Sequence, residues 1–301
     1  MIYTVTLNPA IDYVVQLPDS LTPGQINRSL REDYQYGGKG INVSNVLKTL
    51  GYDSTVLGFI AGQTGTWLES GVREMGLNTR FIRTCGMTRI NVKVKGAEET
   101  EINGLGPVVT DEAIHALHDQ LDRLLPGDVL VLSGSVPGSM GADAYAVILN
   151  RIRQRNITTV VDAAGSLLAN ALPCRPFLIK PNRQELEKLF TRTLHSDPEI
   201  LACGAELQEQ GARNVLVSLG GDGALLLDES GKSHRIHSPA GTVVNSVGAG
   251  DSMVAGFLAG WLETGSYEYA LKLGTAAGSA TAFSLGLADR SRIDAVLREI
   301  T

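Results

Sequence analysis

Asp128–Leu132 (DVLVL), Thr158–Asp162 (TTVVD), Phe177–Lys180 (FLIK) and Asn214–Leu219 (NVLVSL) are short apolar runs rich in β-branched residues. A half-solvated strand would alternate apolar with polar side chains, so continuous runs of this length belong to strands buried on both faces of a parallel sheet. Between them, the stretches 141–155, 182–190 and 197–211 read as helices. Strand–helix alternation of this kind predicts an α/β fold, with a doubly wound, mostly parallel sheet and helices on both faces. Toward the C-terminus, 248–285 is apolar and rich in Ala and Gly, and reads as two closely packed helices joined near Glu263–Tyr267. The first hundred residues are less regular. Met1–Leu7 (MIYTVTL) reads as a strand from its second residue. Tyr13–Gln16, Leu30–Tyr36, Asn91–Lys95 and Thr100–Asn103 alternate polar with apolar residues, as half-solvated strands do. The segments 13–36 and 88–104 are therefore expected to form a small β-sheet lid on one domain spanning 1–301, of the kind that closes over an active site.

Composition narrows the function classes. The chain has 301 residues, 43% hydrophobic and 19% charged, with 34 glycines where average usage would give roughly 21. That excess has no G-X-Y period and comes with only 11 prolines, which excludes collagen and low-complexity disorder. It points to tight turns and backbone-lined ligand loops. Lys plus Arg is 26 against 32 Asp plus Glu, a net charge of -6 with no basic stripe, so no nucleic-acid partner is expected. No run approaches 18 apolar residues, and no secretory signal pattern opens the chain, so no membrane partner is expected and the expected location is cytoplasmic. Cys85, Cys174 and Cys203 are odd in number and far apart, unlike a disulfide framework or a CxxC metal site.

Three glycine loops carry the chemistry. Asn245–Ser252 (NSVGAGDS) precedes an apolar helix. Gly248, Ala249 and Gly250 let backbone amides turn toward one point, where the helix start adds its own unpaired amides and positive dipole end. Asp251, in the first turn, is placed to accept a proton from an attacking hydroxyl; the plainer alternative is an acid that stabilises a helix start. Gly37–Gly40 (GGKG), followed by Asn42, suits a polyhydroxylated ligand, with Lys39 as a point charge for a phosphate. GxxxxGK[ST] occurs nowhere, so this is not a Walker A loop. Ser218–Ala224 (SLGGDGA) follows a strand at the end where such sheets bind ligands. Asn182 and Glu185 read first as a helix N-cap with its N3 glutamate, and the pair can also order waters around Mg²⁺. Arg89 opens a lid strand, where its fork either is solvated or closes over a phosphate. His115 and His118 flank the buried face of a helix and are not read as metal ligands. A dinucleotide oxidoreductase would need glycines after the first strand, but Asn8-Pro9-Ala10 has none.

Together, GGKGINV at 37–43, KPNRQE at 180–185, SLGGDGA at 218–224 and NSVGAGDS at 245–252 resemble the ribokinase-like sugar kinases of the phosphofructokinase B family, in order and spacing over essentially the whole chain. Within that family TVTLNPAID at 4–12, TRINVK at 88–93 and ETEING at 99–104 look most like the members that act on fructose 1-phosphate. The resemblance implies ATP-dependent phosphorylation of the C6 hydroxyl to give fructose 1,6-bisphosphate, with tagatose 6-phosphate or fructose 6-phosphate as alternative substrates. Carried over by matched position, Asp251 is the base, and the amides of Gly248, Ala249 and Gly250 hold the transferring phosphoryl. Asp12, Gly37, Gly38 and Asn42 bind sugar hydroxyls. Lys39 and Arg89, with Arg28 as the nearest basic residue after the first strand, hold the substrate's own phosphate. Lys180, Asn182, Ser218, Gly220 and Gly223 line the ATP site, and Asn182 with Glu185 organises Mg²⁺ through water. The resemblance also implies a homodimer paired through the lid.

Overall fold

In the computed structural model, which describes residues 1–300, each of the four apolar runs contains a strand of one large sheet. In chain order the strands are β1 (Ile2–Thr6), β2 (Ala10–Gln16), β3 (Arg31–Gly37), β4 (Ser54–Ile60), β5 (Asn78–Arg83), β6 (Arg89–Lys95), β7 (Glu99–Ile102), β8 (Val129–Ser133), β9 (Thr158–Asp162), β10 (Leu178–Ile179), β11 (Asn214–Ser218), β12 (Ala224–Leu227) and β13 (Ser233–Ile236). The α-helices are α1 (Lys39–Thr49), α2 (Gly62–Glu74), α3 (Asp111–Leu121), α4 (Ala144–Ile152), α5 (Gly165–Ala171), α6 (Arg183–Phe190), α7 (Asp197–Glu209), α8 (Ala249–Thr264), α9 (Tyr267–Ala282) and α10 (Arg290–Glu299).

The large sheet has the order β13-β12-β11-β10-β9-β8-β1-β4-β5, parallel except for the antiparallel edge β11-β12-β13. Both faces are covered, which is why its strands are continuously apolar. In β8, Leu130 and Leu132 enter a core shared with Leu117 of α3, Ile148 of α4 and Leu207 of α7. Val129 and Val131 enter the opposite core with Val43 of α1, Phe257 of α8 and Leu271 of α9. From β1 the chain runs outward to β4 and β5, then returns on the other side of β1 to β8 and onward. The strand order therefore reverses between β1 and β8, and a crevice opens there beyond the carboxyl ends of the strands.

The lid is a separate four-stranded sheet of order β3-β2-β6-β7. Strand β2 starts at Ala10, three residues before the alternating pattern begins. Ala10 and Ile11 are buried at the lid's root, so they lack the half-solvated signature. Ile11 packs there with Ile41 of α1 and with Leu68 and Val72 of α2. Strands β4 and β5, and the edge pair β12 and β13, are additions that the sequence pattern did not single out.

Part of the glycine excess lies between α8 and α9, where the backbones approach too closely for side chains. A Cβ on Gly256 would stand 2.6 Å from the Leu273 carbonyl oxygen and 2.9 Å from Gly274 Cα. Gly256→Val is expected to destabilise by about 2 kcal/mol through overpacking. Denaturant unfolding checks this, and an unchanged midpoint would show that the helix pair can separate at little cost.

Candidate active site

The crevice between β1 and β8 is a cleft of about 490 Å³ that runs from the large sheet up under the lid. Its floor comes from strand ends: Thr6 closing β1 with Asn8 beyond it, Ser133 closing β8 with Ser135 beyond it, Asp162 at the end of β9, and Lys180 after β10. The Thr6 and Ser133 hydroxyls are buried and have no hydrogen-bond partner among the described residues. Buried hydroxyls are normally paired, so two of them facing one cleft suit a polar ligand.

Asp251 sits at one end of this cleft, in the first turn of α8, and is 5% exposed. Asn42 of α1 donates its side-chain amide to Asp251 Oδ2 at 2.8 Å. Burial pushes the Asp251 carboxyl up to about 6, and the Asp162 carboxylate adds to the rise; Lys39, Asn42 and Lys180 oppose it. The N-terminus of α8 opens toward the same point. Gly248 caps it with φ +82°, a left-handed conformation that favours glycine. The amides of Gly248, Gly250 and Asp251 meet no acceptor among the described residues, leaving free donors beside the carboxylate.

At the lid end, Arg89 donates from Nε to the Asn8 carbonyl at 3.1 Å and from a terminal nitrogen to Ser135 Oγ at 3.4 Å. It thereby bridges the lid strand β6 to the floor loops, with its guanidinium half-buried. Burial pushes its pKa down and the Asp12 carboxylate opposes the change. Asp12 of β2 accepts from the Asn91 side chain at 2.7 Å, and Asn91 accepts from the Gly104 amide at 3.2 Å. Lys93, two residues along β6, also lines the cleft and pairs with Glu101 at 3.4 Å.

A second cavity of about 520 Å³ adjoins the first. Asn182, Ser218 and Gly250 line both. Its far wall is Ser238–Gly241 and Val243 facing Gly278, Ala282 and Phe283 of the α9 end. This slot is largely apolar. Asn182 and Glu185 at its mouth form a complete capping box: each side chain accepts the other's amide at 2.8 Å.

Asp12, Gly38, Lys39, Asn42, Arg89, Lys180, Asn182, Glu185, Ser218, Gly248, Gly250 and Asp251 thus line one cleft, and Gly220 lines the adjoining slot. Five residues are placed differently from the arrangement expected. Arg28 lies in the exposed loop between β2 and β3 and lines no cavity with the others. Gly223 also lines neither cavity; at its φ of +93° an added Cβ would stand 2.1 Å from the Ile236 carbonyl oxygen, so the close approach of the two backbones requires glycine. Ala249 faces the slot and not the cleft, and its amide is turned to the Ser246 carbonyl at 3.3 Å by the tight turn entering α8. Gly37 backs onto the Asp12 side chain from a small neighbouring cavity. Lys39 lines the cleft with Arg89, but its Nζ turns to Asp162 at 3.3 Å, on the side of Asp251.

Asp162 itself, together with Ser133, Ser135, Asn91, Lys93 and the 238–243 wall, was not singled out from the sequence. For Asp162 a signal existed: it is the acid that ends the run TTVVD, at the end of a parallel strand where ligands bind. The slot wall carries no charged or glycine-loop signature, so nothing marked it.

Comparison with known proteins identifies the family. A family model described as pfkB family carbohydrate kinase matches residues 5–293. The chain is 46% identical over 300 residues to 1-phosphofructokinase of Bacillus subtilis, covering 100% of this chain and 98% of that protein. It is 39% identical over 302 residues to D-tagatose-1-phosphate kinase of Bacillus licheniformis, with 100% and 98% covered. The solved structure of phosphofructokinase-2 from Escherichia coli in complex with fructose-6-phosphate matches with a TM-score of 0.91 at 29% identity, covering 99% of this chain and 98% of that one. A family match from the first strand to α10, on a large parallel sheet with a four-stranded lid, has one conclusion: the chain belongs to the pfkB family of carbohydrate kinases and is a sugar-phosphate kinase.

Proposed function

We propose that this kinase transfers the γ-phosphoryl of ATP to the C6 hydroxyl of fructose 1-phosphate, with Asp251 as the general base. One observation carries the reading. Asp251 and the free α8 amides stand where two cavities meet, one polar and lined by Arg89 and Lys93, the other largely apolar. A phosphosugar in the cleft would turn its anionic end to the lid and its free hydroxyl to Asp251. ATP in the slot would bring its terminal phosphoryl to the same junction. Phosphoryl transfer asks little covalent chemistry of the protein, so positioning and fixed dipoles do most of the work. Asp251 takes the hydroxyl proton, and the amides of Gly248 and Gly250 stabilise the charge on the phosphoryl oxygens.

Mg²⁺ belongs to the same proposal. Glu185 uses one carboxylate oxygen in the capping box and keeps the other, and the cleft reaches it. Among the described residues no cluster of three His, Cys, Asp or Glu could hold a metal. The residues therefore fit an ion that keeps its waters and rests mainly on nucleotide phosphates. Bound there, it would neutralise charge on the nucleotide phosphates. Pairing of two copies through the lid is part of the reading as well; the outer strands β3 and β7 leave Tyr34 and Ile102 exposed by 47% and 60%.

The relative named for D-tagatose 1-phosphate favours a second substrate. Tagatose differs from fructose only at C4, and a 1-phosphate presents the same two ends to Arg89 and Asp251. Comparing kcat/KM for the 1-phosphates and 6-phosphates of both sugars tests the assignment. Fructose 1-phosphate is expected to lead; a 6-phosphate in first place would overturn it. Arg89→Ala is expected to raise KM for the phosphosugar by roughly tenfold or more, the cost of a hydrogen bond to a charged group, and to leave KM for ATP within about twofold. Equal effects on both would remove Arg89 from the substrate phosphate.

A further inference from the structure

Asp162 is the most buried charge in the cleft, its side chain 1% exposed. Its two carboxylate oxygens each face a different ammonium: Oδ2 is 3.3 Å from Lys39 Nζ, and Oδ1 is 3.3 Å from Lys180 Nζ. Neither oxygen makes a hydrogen bond among the described residues. Such an arrangement is costly. A buried carboxylate needs partners, and two lysines that converge from α1 and from the end of β10 would repel each other without it. The three groups also sit beside Asp251, and Lys180 Nζ lies 3.2 Å from where a Cβ on Gly250 would stand. The pair of cations is therefore beside Asp251, at the junction of the two cavities.

We propose that Asp162 is a positioning residue for phosphoryl transfer: its buried carboxylate clamps the ammonium groups of Lys39 and Lys180 side by side at the point where sugar hydroxyl and nucleotide phosphate meet. Two lysines held this way present two positive charges to the transferring phosphoryl without having to be ordered when substrate arrives, which is the condition under which fixed charge accelerates a reaction. The carboxylate also keeps Lys39 charged. Burial works against the Lys39 ammonium, yet Asp162, Asp251 and Glu185 hold its pKa above the ordinary lysine value. In return Lys180 and Lys39 hold the Asp162 carboxyl below its usual range against burial. Lys39 thereby changes role: it serves the group being transferred, and the phosphate already on the sugar is left to the lid.

The inference rests on the reading of Asp251 as base, and its test separates the two. Asp251 is faced by Lys39 and Asn42 from α1, by Asp162 from β9 and by Lys180 from the end of β10; Tyr145 of α4 faces Asp162, and Glu185 of α6 faces Lys39. Among these, Asp162 and Lys39 act on Asp251 with opposite sign. Asp162→Asn removes a negative neighbour and is expected to move the acid limb of the kcat profile to lower pH. Lys39→Met removes a positive one and is expected to move it to higher pH. Both are expected to lower kcat by about 10²-fold, with KM for ATP and phosphosugar changed less than about threefold. Lys39→Met leaves Asp162 paired with Lys180, and Lys39 is the more exposed partner, so it carries the test if Asp162→Asn fails to fold.

The measurements use the full chain and whichever ketose phosphate it turns over fastest, so a change of preferred sugar leaves them valid. Limbs that move together, or a kcat near wild type in either variant, would overturn the clamp. So would an Asp162→Asn enzyme restored by raised Mg²⁺, which would make Asp162 a metal ligand. If Asp251→Asn keeps its turnover while both clamp variants lose theirs, the base assignment falls and the clamp stands.

Discussion

Asp251→Asn is expected to bind ATP and the phosphosugar at near wild-type affinity and to lose about 10²–10⁴-fold in kcat, the usual contribution of a positioned base. The substitution is close to isosteric. It preserves the contact to Asn42, since the new side chain still offers an oxygen to the Asn42 amide that now bonds Asp251 at 2.8 Å. What it removes is the proton acceptor and one negative charge among Lys39, Lys180 and Asp162. The wild-type pH profile provides an independent check. Burial and Asp162 hold the Asp251 carboxyl at about 6, so the acid is protonated and inactive below that value. Since a base works only when ionised, kcat is expected to be flat above about pH 7 and to fall tenfold per unit below about pH 6. In Asp251→Asn both the rate and this limb disappear. A variant with near-normal kcat, or one that keeps the limb, would exclude Asp251 as base.

The same residues show how far the sequence carries and where it stops. The parallel sheet was legible because strands covered on both faces have no solvent side to alternate with, as DVLVL and TTVVD show directly. The lid was legible for the opposite reason, since its outer strands are solvated: β3 is exposed over most of its length and β7 throughout. Its boundaries were not, because Ala10 and Ile11 leave the half-solvated pattern where the lid is rooted on α1 and α2. In the cleft, glycine loops and an acid at a helix start can be read as local patterns. Asp162 cannot be read so easily: its meaning comes from Lys39 and Lys180, which lie more than a hundred residues before it and eighteen after it. Lys39 shows the same limit: a lysine in a glycine loop can be read as a charge for phosphate, but its pairing with Asp162 on another strand is not visible in the local pattern. Asn182 and Glu185 form the capping box that was read from the sequence, and because it occupies only part of each side chain it leaves room for the proposed Mg²⁺ role.

Gly250→Val is the substitution expected to separate binding from transfer most sharply. Gly250 lines the sugar cleft and the nucleotide slot together, in the first turn of α8. A Cβ there would already approach Lys180 Nζ to 3.2 Å, close enough that the lysine must yield by a few tenths of an ångström. Valine's two further methyls would project into the junction itself. The Gly250 amide is kept, so no donor is deleted. What changes is the distance at which the two substrates meet, and a misplacement of about 1 Å costs on the order of 10² in rate. We therefore expect kcat to fall by about 10²-fold, while each substrate alone binds within a few-fold of wild type by calorimetry. Gly250→Ala, with the Cβ only, is expected to lose less than about tenfold. Stability is not expected to explain the loss. Gly250 has an ordinary helical φ, and valine has a slightly better helix propensity than glycine. A Gly250→Val enzyme with unchanged kcat would show that transfer does not pass through the junction at Gly250, and the placement of both substrates would have to be redrawn.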